Sequence, residues 1–342
     1  MLLLLSAFSA CETRPSLTWQ QCTRAGCTPV TGSVVSDTDQ RPSAGADINN
    51  ADIGVSSSGG SLQQNLVTTG SLGKIIGSRL YLMDSAGSKY QLFNLVGKEI
   101  TYDVTMTSIG CAVNAALYTV EMPAGGEAQF GGAAGGSGYC DANFVKSKGS
   151  SKAGCAEFDI QEANFYGMVF TSHPCQSPGQ VGQGGGSCQS DGCGFNGYRY
   201  GARDFWTSQI NPRSRLTVIT QFVGSAGTLT EVRRKYIQGG KVIQNPTVNV
   251  YSNGNFNSLS EAFCKAAGHP LSGWTSFAAM GQSFGRGHVL VFSLWDSFDM
   301  GWLSGSTEYG PSTSSDKLEA ETHLDAKVIW SSIKYGDIDT TY

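Results

Sequence analysis

Hydrophobic and polar residues alternate along several short segments of the chain, and these segments are rich in β-branched and aromatic side chains. A period of two residues, bounded by Gly, Ser, Asn or Pro, is typical of β-strands. It predicts strands over residues 32–35, 78–83, 100–105, 115–122, 216–223, 235–238 and 288–294. Helical signals are few: one short helix is predicted over residues 260–267, with Ser260 as its cap, and another within residues 274–280.

The composition supports an all-β chain with many turns. Gly accounts for 45 of 342 residues, roughly double the usual ~7 %, and charged residues make up only 15 %. The Gly-rich stretches 124–138 and 179–187 are expected to be loops at the edge of a surface site, because neither continues through Gly-Lys-Ser/Thr into a helix as a phosphate loop does. Since no linker divides the chain, we expect one domain over residues 11–342.

The charge distribution argues against nucleic acid and membranes as partners. The formal net charge is -4, and the longest basic run is Arg233-Arg234-Lys235, whereas polyanion binding needs a clustered basic excess. Residues 2–10 form the only long apolar run, which is far shorter than the roughly 20 residues of a membrane span. Residues 1–10 are therefore predicted to be a signal peptide, although a basic start is missing.

The cysteines indicate secretion. Ten of them are spread along the chain, an even number that suits disulfides in an oxidising compartment. Zinc binding is the alternative for Cys188 and Cys193, but no His lies at ligand spacing from either. We therefore expect a secreted protein without a metal or another cofactor.

The most informative segment contains three acidic residues, Glu157, Asp159 and Glu162. On a strand the first two share one face, while Phe158 and Ile160 occupy the other. Glu162 joins the acidic face only if the strand has a bulge between Asp159 and Glu162, a feature common beside active sites. The group would then form the paired-carboxylate site that glycoside hydrolysis requires; the alternative is a solvated acidic strand face.

Electrostatics favour different roles for two such carboxylates. At a separation of about 5 Å and an effective dielectric near 20 they repel by ~3 kcal/mol, which raises one pKa by roughly two units. One group then stays protonated in mildly acidic solution, as an acid and a nucleophile require. We expect Asp159 to hold Glu157 through a shared proton or a hydrogen bond.

Between Leu17 and Gly336 the chain contains ordered motifs that resemble those of glycoside hydrolase family 7. This family contains fungal-type cellobiohydrolases and endoglucanases. Besides the Glu-x-Asp-x-x-Glu segment, they are LTWQQC (17–22), TGSVV (31–35), RLYLM (79–83), NAALY (114–118), GYCD (138–141), SHPC (172–175) and SLWD (293–296). The resemblance implies a jelly-roll sandwich of two large antiparallel sheets, with a long substrate cleft on the concave face.

The resemblance also assigns functional residues. It implies retaining cleavage of β-1,4-glucan, with Glu157 as nucleophile, Glu162 as acid/base and Asp159 as assisting acid. His173 is similar to a histidine near the catalytic acids, the alternative being a packed structural side chain. The implied sugar-binding residues are Trp295 and Trp302, which would stack on glucose rings, and the hydrogen-bonding residues Asn114, Tyr118, Tyr139, Asp141 and Arg199. The implied disulfides are Cys22–Cys27, Cys140–Cys155, Cys175–Cys188 and Cys193–Cys264.

Several positions depart from the family pattern. Gln161 replaces the usual Trp, residues 36–42 lack the tryptophans of processive members, and the Cys-rich stretch expected over residues 42–55 is missing. The segment from Cys140 to Cys155 is short, and the loop expected after Tyr309 is deleted. The deletions also remove the usual partners of Cys11 and Cys111, which are either unpaired or bonded to each other. The shortened loops favour an open, endo-acting cleft over a tunnel.

Together these features predict a secreted, monomeric, retaining endo-β-1,4-glucanase that binds a β-glucan chain without a cofactor. Residues 11–342 would form its single catalytic domain, with no separate carbohydrate-binding module. A β-1,3- or mixed-linkage glucanase is a second prediction, since a related sandwich family uses the same acidic motif. A lectin-like glucan-binding protein without catalysis is a third. The residues leave open whether glucan or xylan is preferred.

Overall fold

The segments in which hydrophobic and polar residues alternate form the strands of two large sheets. The structure is a computed structural model that describes residues 13–182, 187–304 and 319–342. The predicted signal peptide, Cys11 and the position after Tyr309 lie outside these residues. Strands account for 43 % of the residues that the structure describes, and helices for 14 %. The all-β prediction is therefore confirmed.

The strands, in chain order, are β1 (Trp19–Thr23), β2 (Gly26–Val30), β3 (Ser33–Ser36), β4 (Val55–Ser58), β5 (Ser61–Asn65), β6 (Val67–Gly70), β7 (Gly73–Ile76), β8 (Ser78–Met83), β9 (Leu92–Phe93), β10 (Lys98–Thr107), β11 (Val113–Val120), β12 (Ala153–Gly154), β13 (Glu157–Ala163), β14 (Met168–His173), β15 (Val181–Gly182), β16 (Cys193–Asn196), β17 (Leu216–Ser225), β18 (Thr228–Gln238), β19 (Lys241–Gln244), β20 (Val248–Asn249), β21 (Asn255–Phe256), β22 (Leu259–Ser260), β23 (His288–Asp296) and β24 (Lys327–Asp337).

The helices are short. The α-helices are α1 (Glu261–Ala266), α2 (Phe277–Arg286), α3 (Gly301–Ser304) and α4 (Glu319–Thr322). The 3-10 helices are Thr38–Gln40, Asn50–Ile53, Ala128–Phe130, Ala133–Gly135 and Gly273–Thr275, and Phe205–Gln209 is a π-helix. No helix among residues 13–182, 187–304 and 319–342 combines the length and hydrophobicity needed to cross a bilayer.

One of the two predicted helices lies where it was predicted, and the other is shifted along the chain. Ser260 caps α1 as predicted, since its side chain accepts a hydrogen bond from the Phe263 backbone N–H. The second helix is displaced: α2 runs over Phe277–Arg286 rather than within residues 274–280. Ser276 is the reason, because its side chain caps the Ala279 N–H and starts the helix there.

The two large sheets are almost entirely antiparallel. A ten-stranded sheet has the order β19-β18-β17-β10-β24-β1-β2, with β4, β5 and β22 attached. An eight-stranded sheet has the order β16-β14-β13-β11-β23-β8-β3, with β9 attached. Only β1 and β24 pair in parallel among the described strands of these sheets. This arrangement is the predicted jelly-roll sandwich, and it places β13, with its three acids, in the middle of the eight-stranded sheet.

The space between the sheets is filled with aromatic and aliphatic side chains. Phe158 of β13 packs edge-to-face against Phe222 of β17, with ring centroids 5.1 Å apart, and against Phe284 of α2 at 5.7 Å. Such aromatic pairs contribute about 0.5–1.5 kcal/mol beyond their burial. The apolar face of β13 is therefore anchored in the core, which leaves its acidic face for the cleft.

The structure contains the four implied disulfides, Cys22–Cys27, Cys140–Cys155, Cys175–Cys188 and Cys193–Cys264. Cys188 and Cys193 are therefore bonded to sulfur rather than available to zinc. The Cys140–Cys155 bond ends two residues before β13 and holds the preceding loop against that strand. A second cluster of buried side chains lies there, including Val35, Tyr81, Tyr90, Tyr118, Met122, Tyr139, Cys140 and Cys155.

Candidate active site

A bulge brings the three acidic side chains of β13 together. Along β14, Asp159 faces Thr171 and Glu162 faces Val169, so two residues of β13 occupy the space opposite one residue of β14. The pairing with β11 shifts at the same place. The predicted bulge is therefore present, and Glu157, Asp159 and Glu162 all line one cavity of about 410 Å³.

Glu157 is 8 % exposed and is oriented by the loop that precedes β13. Its Oε2 accepts a hydrogen bond from the Ala142 backbone N–H at 3.0 Å. Ala142 follows the Cys140–Cys155 disulfide by two residues, so the covalent bond fixes the donor near the carboxylate. The carboxylate is thereby held at the floor of the cavity.

Glu162 contacts β11, the strand that flanks β13 on the side opposite β14. Its Oε1 accepts a hydrogen bond from Nδ2 of Asn114 at 2.8 Å. Asn114 also accepts the Ala163 backbone N–H through Oδ1 at 3.2 Å, which fixes the orientation of its amide. Asn114, which the family resemblance assigned to sugar binding, thus also contacts the carboxyl group of Glu162.

Asp159 pairs with His173. Oδ2 of Asp159 lies 2.9 Å from Nε2 of the imidazole, while Nδ1 lies 2.8 Å from the Gln189 carbonyl oxygen. Because a carbonyl only accepts, Nδ1 carries a proton, and the pair becomes ionic when Nε2 is protonated too. Asp159, which was expected to hold Glu157, thus contacts His173, and this contact orients the middle acid.

Burial is the main source of the shifted pKa values, contrary to the expectation that repulsion dominates. Burial, then the charge of Asp159, raises the pKa of Glu157 well above its ordinary value. Burial and Asp159 likewise raise the pKa of Glu162 to about 8. The nearby charge of His173 and the Ala142 N–H oppose the shift of Glu157, and they favour its ionised form. Glu162 therefore keeps a proton through mildly acidic and neutral solution.

The cavity continues along the outer face of the eight-stranded sheet. Its other lining residues are Asp37, Asp39, Gln40, Ile76, Ser78, Arg79, Ala116, Tyr118, Tyr139, Asp141, Asn143, Val145, Ser293, Leu294 and Trp295. The hydroxyls of Tyr118 and Tyr139 lie 2.8 Å apart. Asp141 accepts the backbone N–H groups of Asn143 and Val145, and burial raises its pKa.

Arg79 is a cavity residue that the sequence reasoning missed. Its guanidinium stacks on the Tyr139 ring at 3.6 Å and pairs with Asp37 at 3.2 Å. A signal existed in the RLYLM motif, because strand alternation puts Arg79 and Tyr81 on the face opposite Leu80. A cation within a buried strand next to an aromatic ring forms a polar wall suited to hydroxyl-rich ligands.

The two proposed tryptophan platforms differ in position. Trp295, at the end of β23, is 36 % exposed and lines the cavity. Trp302 does not line that cavity; it packs against Val169, Met300 and Leu303. Arg199 reaches the same place, since its Nη2 donates to the Trp302 carbonyl oxygen at 2.8 Å. Because Val169 faces Glu162, Trp302 and Arg199 lie beside the Glu162 end of the site.

Among the residues that the structure describes, no group of three or more His, Cys, Asp or Glu side chains is arranged to hold a metal ion. The site offers carboxyl groups, an imidazole, phenols and indoles instead. These groups are suited to acid–base and nucleophilic chemistry on a sugar chain.

Comparison with known proteins identifies the family. The family model described as glycosyl hydrolase family 7 matches residues 43–148 and 145–342. The chain belongs to glycosyl hydrolase family 7. It is 39 % identical over 289 residues to a probable endo-β-1,4-glucanase, celB, of Aspergillus clavatus, a match that covers 77 % of this chain and 69 % of that protein. The chain is accordingly a glycoside hydrolase of the cellulase type.

Solved structures of this glycoside hydrolase family have the same fold. A mutant of an endocellulase of Humicola insolens superposes with a TM-score of 0.87 and 28 % identity, covering 97 % of this chain and 98 % of that one. A cellobiohydrolase of Melanocarpus albomyces, complexed with cellotetraose, gives a TM-score of 0.83 with 27 % identity, covering 97 % and 98 %. Both endo-acting and cellobiohydrolase structures thus resemble this family member, so the fold alone does not separate the two modes.

Proposed function

We propose that this protein is a secreted, monomeric endo-β-1,4-glucanase that cleaves β-glucan chains with retention of configuration. The observation that carries the proposal is the bulge of β13, which puts Glu157 and Glu162 in one cavity with Asp159 between them. The similar endo-β-1,4-glucanase and the cellotetraose complexed with a related cellobiohydrolase support a β-1,4-glucan as substrate.

The first step assigns a different task to each glutamate. Glu157 attacks the anomeric carbon in its ionised form, which the charge of His173 and the Ala142 N–H favour against the effects of burial and Asp159. Glu162 donates its proton to the departing glycosidic oxygen. The carbon–oxygen bond to the leaving sugar breaks, and a glycosyl ester forms on Glu157. The pKa of Glu162, raised to about 8, keeps this proton available at the pH of the reaction.

The second step reverses the roles. Glu162, now a carboxylate, takes a proton from water, whose oxygen attacks the anomeric carbon and releases Glu157. The positive charge of His173 opposes the repulsion between Asp159 and Glu157, and it thereby favours the Glu157 carboxylate as a leaving group. Two inversions at one carbon give net retention.

The open cleft is inferred from the wall of the cavity. Gln40 lines it within the segment 36–42, which contains no tryptophan, and Trp295 is the aromatic platform next to the acids. The short loop between Cys140 and Cys155 borders the same cavity through Asp141, Asn143 and Val145. A chain can therefore enter from the side and be cut internally. The disulfides suit a secreted protein.

The test compares viscosity loss with reducing-end release on a soluble β-1,4-glucan. We expect a steep fall in viscosity with few new ends, and a first-formed β-anomer by proton NMR. Glu157→Gln should abolish hydrolysis and retain sugar binding. Many new ends at nearly constant viscosity would contradict endo action, and an α-anomer would contradict retention. Activity confined to a mixed-linkage glucan, or binding without hydrolysis, would favour the other predictions.

A further inference from the structure

The bulge of β13 leaves one peptide group outside the ladder between strands. Ile160 and Gln161 together occupy the space opposite Phe170 of β14, and Ile160 has no register partner on β11. Buried carbonyl groups need a hydrogen-bond donor, and a bulge interrupts the supply of donors from the neighbouring strand. A donor from outside these strands can therefore satisfy and hold the Ile160 carbonyl.

Arg234 of β18 holds it from the opposite sheet. Its side chain is 2 % exposed and crosses the core to β13, where Nη2 donates to the Ile160 carbonyl oxygen. The guanidinium also lies 4.4 Å from the centre of the Phe170 ring, and Nη1 lies 3.1 Å from Sδ of Met168. One planar group thus contacts both strands at the bulge, the extra residue on β13 and the single residue facing it on β14.

Among the residues that the structure describes, no carboxylate forms an ion pair with this buried cation. None of the ion pairs found among the described residues includes Arg234, and its Nε has no hydrogen-bond partner there. Arginine is rarely buried without a partner, because desolvation of the charge is costly. A methionine or leucine would fill the same space more cheaply, so packing does not account for the residue.

We propose that Arg234 is a positioning residue that clamps the bulge of β13 and thereby aims Glu162 at the scissile bond. Glu162 faces the cavity only because the bulge adds a residue before it. Without Arg234, the segment in which Ile160 and Gln161 lie opposite one residue of β14 would relax, and the Glu162 carboxyl group would move. Glu157 is held by the Ala142 N–H and would keep its position. The proposal rests on the proposed function, in which Glu162 is the proton donor.

The experiment separates proton donation from the rest of catalysis. Aryl β-cellobiosides with a poor leaving group need the general acid, while a dinitrophenyl leaving group departs without it. Both are assayed as kcat/KM, which reports the step in which the aryl group leaves. The variants are Arg234→Met and the control Arg233→Met, which changes the neighbouring residue on the solvent face, 53 % exposed and paired with Glu231.

General acid catalysis accelerates a reaction by about 10²–10⁴-fold, and a misplaced acid loses part of this acceleration. We therefore expect kcat/KM of Arg234→Met to fall ~30-fold or more on the substrate with the poor leaving group. The loss on the dinitrophenyl substrate should stay below ~3-fold, and Arg233→Met should show no asymmetry. Equal losses on both substrates, or no loss on either, would overturn the proposal. If Arg234→Met does not fold, Arg234→Lys, which keeps the charge without the planar fork, should show a smaller asymmetry in the same direction; equal losses there would overturn it too.

Failure of the underlying function would look different. Glu162→Gln must itself show the leaving-group asymmetry, and the unmodified protein must hydrolyse both substrates. If either condition fails, the assignment of Glu162 is wrong. If both hold and Arg234→Met shows equal losses, only the role of Arg234 is wrong.

Discussion

Nε2 of His173 lies 2.9 Å from Oδ2 of Asp159, and both side chains are buried at the middle of the acidic cluster. Burial alone would lower the pKa of His173, but the hydrogen bond and the charge of Asp159 outweigh it and raise that pKa to about 10. The imidazole is thus a permanent cation over the pH range in which a glycosidase works. It offsets the negative charge that the adjacent carboxyl groups carry when they are ionised.

Asp159→Asn should return His173 to a neutral imidazole. A histidine with a raised folded-state pKa stabilises the fold fully below its unfolded pKa near 6.5, and this contribution is lost as the pH rises through about 10. We therefore expect the variant to lose ~3 kcal/mol of unfolding free energy at pH 6 and markedly less at pH 10. Urea denaturation at both pH values measures this, and an imidazole NMR titration that stays above pH 9 in the variant would contradict it.

Glu162→Gln should also change the pH dependence of stability. The pKa of Glu162 rises from 4.5 to about 8 on folding. Between these pH values the folded state still holds a proton that the unfolded state has released, so the free energy of unfolding falls as the pH rises. The variant lacks this fall, and it should gain about 3–5 kcal/mol relative to the unmodified protein between pH 4 and pH 9. Denaturant unfolding at the two pH values gives the difference.

Glu231→Gln is the matched control for this prediction. Despite partial burial, hydrogen bonds from Arg233 and Ser258 lower the pKa of Glu231, so that variant should lose rather than gain relative stability as the pH rises. The same pH dependence of stability in both variants would contradict the raised pKa of Glu162 as the cause.

In the unmodified protein, kcat/KM should decline as the pH passes through about 8, because Glu162 must be protonated to donate a proton.

Gly192→Ala should disable the site through His173. Gly192 has φ +61°, and a Cβ added there would lie 2.5 Å from Cε1 and Nδ1 of the imidazole. The ring would have to move away from the Gln189 carbonyl and carry Asp159 with it. We expect a loss of about 10²-fold in kcat.

Gly59→Ala provides the control for strain alone. Gly59 has φ +59°, and a Cβ there would meet nothing within 4 Å, so the variant should lose roughly 1–2 kcal/mol of stability while keeping its kcat. Equal kcat values for Gly192→Ala and the unmodified protein would mean that His173 does not position the acids.

Trp295→Ala should weaken binding of glucan chains without changing the chemistry. The indole is 36 % exposed at the cavity wall, where it can stack on the apolar face of a sugar ring. Loss of a contact worth about 1.4 kcal/mol raises KM roughly tenfold, and kcat on a small aryl glycoside should change little. Phe298→Ala, which removes another exposed aromatic ring, 47 % exposed, should leave KM unchanged. The same KM increase in both variants would contradict a specific sugar platform.

Local pattern predicted much of the fold and the core of the site. Strand periodicity placed Glu157 and Asp159 on one face, and the wrong parity of Glu162 predicted a bulge that the register between β13 and β14 confirms. The strand over residues 78–83 has the predicted ends. These features depend on residues close in sequence, whose side chains alternate by geometry alone.

Contacts between distant segments escaped the sequence reasoning. Arg79 lies 60 residues from Tyr139, on which it stacks, and Arg234 lies 74 residues from Ile160, whose carbonyl it holds. No periodicity links such pairs; they meet because two sheets pack face to face. The contact between the Asn114 amide and Glu162 was likewise missed, although the family resemblance placed Asn114 in the cleft.

The alternation of residue types, the cysteine count and the ordered motifs were enough to establish an all-β hydrolase with its acids on a single strand. The protonation states of those acids, the pairing of Asp159 with His173 and the arginine behind the bulge depended on the folded core. A pKa is set by burial and by charges within a few ångströms, and neither exists until strands far apart in the chain have been brought together.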